Sequence, residues 1–574
     1  MTVLGYGQLL LMFVVTVFGL GWPIARRLLE DPLERLCAAA VAGLSCCFAF
    51  AFVLYAAGLS LQLFGLAPLA GALALALEHR SVRALWSAPE ARTALWAWAA
   101  LALATQALLA TVRSYSGGAW GGDWLEHHQR ALFFREHWAL DFNFIGDYLL
   151  PARPPLVNVV TAGFHAVGDS SFATGQVVSA LWSSLVFLPA ALLCRMAGGG
   201  ARTLLGLAAL LALNPSFLQN TTFAWTKLPA AFFVLAGAHF LLSAIDRPET
   251  RARFAVATLA LTAGVLAHYS AGPFCLVLVA WWLFARLRRR EFAVLGREAA
   301  VGLAVAPPLL ALWFGWSLRH YGVAGTFLSN STAIEFGPTG GLAQAAKVAG
   351  NVWATLVPHP LRNVDPRIIA FGSGAERFRH QVFMIYQVNL FGLLGSAGAA
   401  VLAVAAWRGR AAWRAGPPAV RPAAVIPGVA AAVILGVAVH GAPDAWGLAH
   451  ICLQPVAIAG LAVLAARLPG LGRAIALVVV VALTWDLTVG IGLHYWLQAK
   501  PPHPDWSSVR DLTQLLVVHG TAALNAGLKA ATGVRFLRDC LPAPVAPCLA
   551  LASIAAAVLA ARSSRALTPP PSPS

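Results

Sequence analysis

Long apolar blocks alternate with short polar connections from one end of the chain to the other. Val3 to Ile24, Ala94 to Val112, Phe172 to Cys194 and Ala474 to Leu493 are each long enough to cross the hydrocarbon core of a bilayer, which takes roughly 17–25 residues of helix. Continued along the chain, the pattern predicts about fifteen spans. They fall at 3–24, 36–58, 61–78, 94–112, 172–194, 203–216, 227–245, 254–268, 273–286, 298–317, 384–407, 423–440, 447–466, 474–496 and 545–561. Backbone amides in lipid must be satisfied internally, so repeated blocks of this length are read as helices. The expected fold is an all-α polytopic membrane protein, with amphipathic interfacial helices in its large outer loops.

Charge gives this pattern a direction. The first block has no basic residue before it and ends in Arg26 and Arg27. A secretory signal carries its charges the other way round, so this block is expected to be a retained span with its N-terminus outside. Alternation from there sends Arg26/Arg27/Arg35, Arg80/Arg83/Arg92, Arg195/Arg202, Arg247/Arg251/Arg253, Arg286 to Arg297, Arg408 to Arg421, Arg467/Arg473 and Arg562/Arg565 to the cytoplasm. These are 24 of the 40 basic residues, in short loops on one side, as the positive-inside rule requires. The other side receives three long segments, 113–171, 318–383 and 497–544, which hold most of the carboxylates. The chemistry is therefore expected at the outer face of a bacterial-type inner membrane.

Composition agrees. Of 574 residues 59% are hydrophobic and 11% charged, against about 25% charged in soluble domains. The net charge of +17 is accounted for by the basic loops, so nucleic acid is not expected as a partner. The eight cysteines form no CxxC pair and imply no disulfide framework. The expected organisation is additional membrane spans over 1–93, a core over 94–317 with the outer loop 113–171, a second large outer loop over 318–383, C-terminal spans over 384–496, and an outer segment, final span and Pro/Ser tail over 497–574.

The most informative stretch is Gly121-Gly-Asp-Trp-Leu-Glu-His-His-Gln-Arg-Ala-Leu-Phe-Phe-Arg-Glu-His137. On a helix, Asp123, Glu126, His127, Arg130 and His137 share an arc of about 100°, with Leu125, Leu132 and Ala139 opposite. The pattern predicts a helix lying on the membrane surface with an acid–base face. Asp123 is a candidate general base, assisted by Glu126 or His127. The same three side chains could instead hold a divalent metal. A plain solvated face with a Glu126–Arg130 ion pair is the alternative.

Downstream, Asp147-Tyr-Leu-Leu-Pro-Ala-Arg-Pro-Pro-Leu156 leads into the block ending at Arg195. A span ending in Asn214-Pro-Ser-Phe follows, and then Phe223-Ala-Trp-Thr-Lys-Leu-Pro opens another. This order over roughly residues 110–290 resembles the type-C membrane glycosyltransferase superfamily, in the branch of protein O-mannosyltransferases, aminoarabinose transferases and rhizobial lipopolysaccharide core transferases. The resemblance implies transfer of a sugar, with inversion, from a polyprenyl-phosphate donor to a hydroxyl acceptor, with membrane lipid as surroundings. It maps the loop base onto Asp123 and the basic residue before two prolines onto Arg153, which would hold the donor phosphate. The chain departs from the pattern at Trp124-Leu125, which separate Asp123 from Glu126, and at Lys227, where many relatives carry an acid. Lys227 and Arg130 are further candidates for donor phosphate. Asp147, His268 and Tyr269 are candidates for the substrate cavity. Asp486, inside a span, is left out of the site, and tryptophans such as Trp124, Trp225 and Trp496 are assigned to an interfacial aromatic belt. A transporter or lipid flippase is the rival reading, although such proteins carry paired charges within their spans.

Overall fold

The computed structural model describes residues 1–115, 122–145, 148–247, 251–329, 341–358, 361, 378, 382, 385–387, 389–408, 422–439, 448–467, 474–499 and 521–565. Asp147, His359, Asp365, Arg410, Asp505 and the tail Thr568–Ser574 lie outside the described residues. Among the described residues there are helices and one isolated bridge, Phe144 to Tyr148, and no strand. The protein is an all-α polytopic membrane protein. Among the described residues eight helices are long and apolar enough to cross a bilayer, or ten if each of two bent pairs is one span. The expected count of fifteen is not reached by this measure.

The chain opens with α1 (Val3–Leu28), α2 (Pro32–Ala56), α3 (Leu66–Leu77), α4 (His79–Ser87) and α5 (Pro89–Leu109). The start of α2 is written in sequence: Asp31 accepts from the Glu34 amide at 2.8 Å, and Pro32 fills the first turn. Helices α1 and α2 cross at glycines. A methyl at Gly21 would overlap the Ala39 carbonyl, and one at Gly43 that of Val17, so small residues set the approach.

Then come α6 (Asp123–Glu136), α7 (Leu156–Val167), α8 (Phe172–Ser184), α9 (Phe187–Met196), α10 (Ala201–Ala212), α11 (Pro215–Thr222), α12 (Lys227–Asp246), α13 (Arg251–Ala267), α14 (Ala271–Arg288) and α15 (Phe292–Leu328). The expected span 203–216 is bent instead of straight: α10 and α11 meet at 68°. Pro215 cannot continue α10, and Asn214 caps a new helix by accepting from the Phe217 amide at 2.8 Å. The expected span 61–78 is helical over Leu61–Leu77, and the chain bends by 70° at its end into α4.

Helices α7, α8, α9 and α12 form the interior, with nearly every side chain buried. On α1, α3, α14, α15 and Val545–Arg565, large apolar side chains such as Leu4, Leu69, Leu276, Leu303 and Leu551 are exposed. An apolar surface of this extent belongs against lipid.

The two ends of the bundle differ in charge. At one end Asp31 pairs with Arg195 at 2.8 Å, Arg195 lies 3.6 Å from Glu90, and Glu34 pairs with Arg253 at 2.9 Å. There too Arg92 donates to Ser563 at 3.2 Å, and Arg286 donates to the Ala244 carbonyl at 2.8 Å. At the other end the Met1 amino group is 3.2 Å from Asp169, Tyr321 donates to the Leu140 carbonyl at 2.8 Å, and the Arg113 amide donates to the Gln498 carbonyl at 2.8 Å. Among the described residues Arg92, Arg195, Arg253 and Arg286 therefore share one end, and α6 and α7 sit toward the other.

Candidate active site

Helix α6 starts where it does because Gly122 adopts φ +99°, a left-handed conformation that costs an L side chain strain, and its carbonyl accepts from the Leu125 and Glu126 amides. It ends at Glu136; His137, at φ +52°, is outside it and stacks on Tyr55. The expected surface helix is corrected here. Trp124 and Leu125 are buried, and so are Glu126 and Arg130, which share one face of the helix with the buried Phe133 and Phe134. The acid–base face is turned inward because α7 and the loop before it cover it.

Glu126 and Arg130 form the expected pair, at 2.8 Å, but with no solvent exposure. Arg130 also donates to the Leu150 carbonyl at 2.6 Å and the Leu149 carbonyl at 3.2 Å, and lies over the Phe144 ring at 4.3 Å. Its guanidinium thus fixes the loop that presents Arg153. Arg153 lies 3.5 Å from Glu126 and keeps partial exposure. Burial would raise the Glu126 carboxyl, but the Arg153 and Arg130 guanidiniums outweigh it and hold the group down at about 2. Glu126 is a fixed negative charge.

Asp123 is placed differently. It is only partly buried, and its Oδ2 accepts from Trp225 Nε1 at 3.1 Å. Loss of solvent, and then the nearby Glu126 charge, raise its pKa to about 6, against the pull of Arg153 and Lys227. Lys227, at the first turn of α12, lies 3.9 Å from the Trp225 ring centre. His127 has its Nδ1 3.2 Å from Asn158 Oδ1 and is pushed down to about 4, chiefly by burial. His268, whose Nδ1 accepts from the Ser270 amide at 3.1 Å, is driven well below its ordinary range by burial and then by Arg153 and Lys227. Tyr269 donates to the Pro151 carbonyl at 3.1 Å, so the turn between α13 and α14 docks on the loop carrying Arg153.

The structure therefore brings Asp123, Glu126, His127, Arg130, Arg153, Lys227, His268 and Tyr269 into one cluster at the polar end of the bundle. Two carboxylates face two guanidiniums, the Lys227 amine and two imidazoles kept neutral by their surroundings. Among the described residues no three His, Cys, Asp or Glu side chains converge on a common point that could hold a metal. The residues of the expected trio diverge: Asp123 to Trp225, Glu126 to the arginines, His127 to Asn158. Two participants were not singled out from sequence. Asn158 lies in α7, inside the expected outer loop 113–171, and Trp225, expected in the aromatic belt, is 2% exposed. The Trp-Thr-Lys spacing just before a span was the available signal for Trp225. Asp486 is structural: it accepts from the Ser396 and Ala397 amides at 3.0 Å each and from Tyr386 Oη at 2.8 Å, which caps helix Gly395–Arg408.

No family model matches the chain, and no curated protein matches it. Among solved structures, ArnT from Cupriavidus metallidurans bound to undecaprenyl phosphate is similar at 15% identity, over 82% of this chain and 77% of that one, with a TM-score of 0.42. The archaeal oligosaccharyltransferase AglB from Archaeoglobus fulgidus, solved in complex with an inhibitory peptide and a dolichol-phosphate, is similar at 14% identity. That match covers 78% of this chain and 60% of AglB, with a TM-score of 0.41.

Proposed function

We propose that this protein is an integral membrane glycosyltransferase that moves a sugar from a polyprenyl-phosphate donor to a hydroxyl acceptor. The observation that carries the reading is the pair of unlike carboxylates on α6. Glu126 is locked as an anion between two arginines, while Asp123 is partly open and raised to about 6 beside Arg153 and Lys227. A carboxylate of that acidity is ionised at neutral pH and still basic enough to take a proton from a hydroxyl as it attacks the sugar. Cations next to it stabilise the charge that develops on the departing lipid phosphate. Of the basic candidates Arg153 and Lys227 are assigned this role, because the donors of Arg130 are spent on Glu126 and two carbonyls. Attack from the side of Asp123, opposite the departing phosphate, inverts the sugar carbon. Asp123 and Arg153 lie at the polar end of a lipid-facing bundle, where a lipid-borne donor enters sideways from the membrane. That end is assigned to the periplasmic side, opposite the basic connections. The segment 94–317 is assigned as the glycosyltransferase core.

The donor class is tested with purified protein in nanodiscs, given a radiolabelled polyprenyl-phosphate sugar or the corresponding nucleotide sugar, and a membrane extract as acceptor. Transfer from the lipid-linked sugar alone is expected. Transfer from the nucleotide sugar without any lipid carrier would rule the reading out.

A further inference from the structure

We infer that Trp225 is a positioning residue, which holds the Asp123 carboxylate through its indole N–H and sets its ring against Lys227. Three observations carry this. Trp225 Nε1 donates to Asp123 Oδ2 at 3.1 Å, which fixes one carboxylate oxygen and leaves the other to act. The same ring lies 3.9 Å from Lys227 Nζ, within range of a cation–π contact. The backbone is also held in an uncommon shape to make this possible. Ala224 adopts φ +62°, a left-handed conformation that a residue with a Cβ keeps only where its surroundings impose it.

Those surroundings are visible. The Phe223 ring is 4.1 Å from Trp225 and 4.5 Å from Tyr115. Tyr115 Oη donates to the Thr222 carbonyl at 2.8 Å and accepts from Gln176 Nε2 at 2.8 Å. The turn between α11 and α12 is thereby tied to α8 and to the end of the α5 connection, and the indole is delivered edge-on to the acid and face-on to the lysine. A tryptophan that served only to anchor the chain at the interface would need neither contact.

The consequence is measurable on Asp123 itself. The charged groups that face it are Glu126 from its own helix, Arg153 from the loop before α7 and Lys227 from α12, with His268 of the α13–α14 turn close to the last two. A hydrogen bond to the ionised carboxylate favours ionisation. Trp225→Phe removes the donor and leaves these charges in place.

The inference rests on the proposed function only for its effect on turnover, and the two are separable. Infrared titration of the protein in nanodiscs follows the protonated carboxyl band, and Asp123→Asn identifies which band belongs to Asp123. Trp225→Phe is expected to move the Asp123 midpoint up by on the order of half to one pH unit. Replacement of Trp225 by 3-benzothienylalanine, which keeps the bicyclic shape and lacks the N–H, is expected to move it equally and decides the matter if the phenylalanine variant does not fold. An unchanged midpoint in the folded benzothienylalanine protein overturns the inference. In transfer assays with a polyprenyl-phosphate sugar, kcat should fall with little change in donor KM, and the acid limb should move by the same amount as the midpoint. A moved midpoint with no sugar transfer in the parent protein would leave Trp225 as assigned and remove the glycosyltransferase reading instead.

Discussion

Asp123 and Glu126 stand three positions apart on one helix, yet their neighbours drive their acidities in opposite directions. This separation assigns the roles and gives two predictions. The first concerns pH. Asp123 must be ionised to accept a proton, and its group is raised to about 6, so transfer should be lost as pH falls through about 6. An acid limb there could be mistaken for a histidine. His127 is pushed down to about 4 and His268 well below its ordinary range, so neither titrates near 6. A rate–pH profile of His127→Gln should therefore keep the limb, and its disappearance in that variant would reassign it. The second prediction concerns Glu126→Gln. With the carboxylate gone, Arg130 is left fully buried and unpaired, a loss on the order of 3 kcal/mol for a broken buried pair. A marked drop in thermal stability, measured by unfolding in detergent, is expected. An unchanged transition would show that Arg130 does not depend on this acid. The sequence placed these residues on one face through the 3.6-residue period. It could not show that the face turns inward, because burial of Glu126 depends on α7 and the loop before it folding back over α6.

Helix α6 depends on how its ends are made. Gly122 at φ +99° lets the chain turn into the helix with Asp123 in the first turn. Gly122→Ala forces a Cβ into a left-handed conformation and should cost about 1–2 kcal/mol. Since the strain is relieved by moving Asp123, kcat should fall more than thermal stability does. Equal loss of both, measured side by side, would contradict this account of the glycine. Caps and prolines were the parts of the structure most readable from the chain: Asp31-Pro32 and Asn214-Pro215 each mark a helix start. The bend between α10 and α11 could have been read from the second of them. Apolar content, taken alone, ignores direction and so predicts one straight span over 203–216. Helix α7 was hidden for a related reason. Its twelve residues, Leu156–Val167, are too few to span a bilayer, so it was absorbed into a loop although its side chains are buried.

At the scale of the molecule, the all-α membrane fold was legible, because the bilayer demands long apolar helices of every span. The chain of contacts from Asp31 through Arg195 to Glu90, and from Glu34 to Arg253, ties the basic connections to one end. A cysteine placed at Arg288 should resist a membrane-impermeant reagent in intact cells, while one at Glu136, on the exposed end of α6, should react. Labelling at 288 from outside would invert the topology and move the proposed site to the cytoplasmic face. The site itself was less legible than the fold class, since α6, α7, α12 and the α13–α14 turn come together only through folding.

The base assignment is tested most directly by Asp123→Asn, which keeps the shape of the side chain and removes its ability to take a proton at neutral pH. Purified, monodisperse wild-type and variant proteins would be compared in nanodiscs for turnover with a polyprenyl-phosphate sugar and for binding of the donor lipid. The account predicts that turnover falls at least about 100-fold, in the usual range for loss of a general base, while donor binding and thermal stability are kept. Near wild-type turnover in the folded Asp123→Asn protein would contradict it.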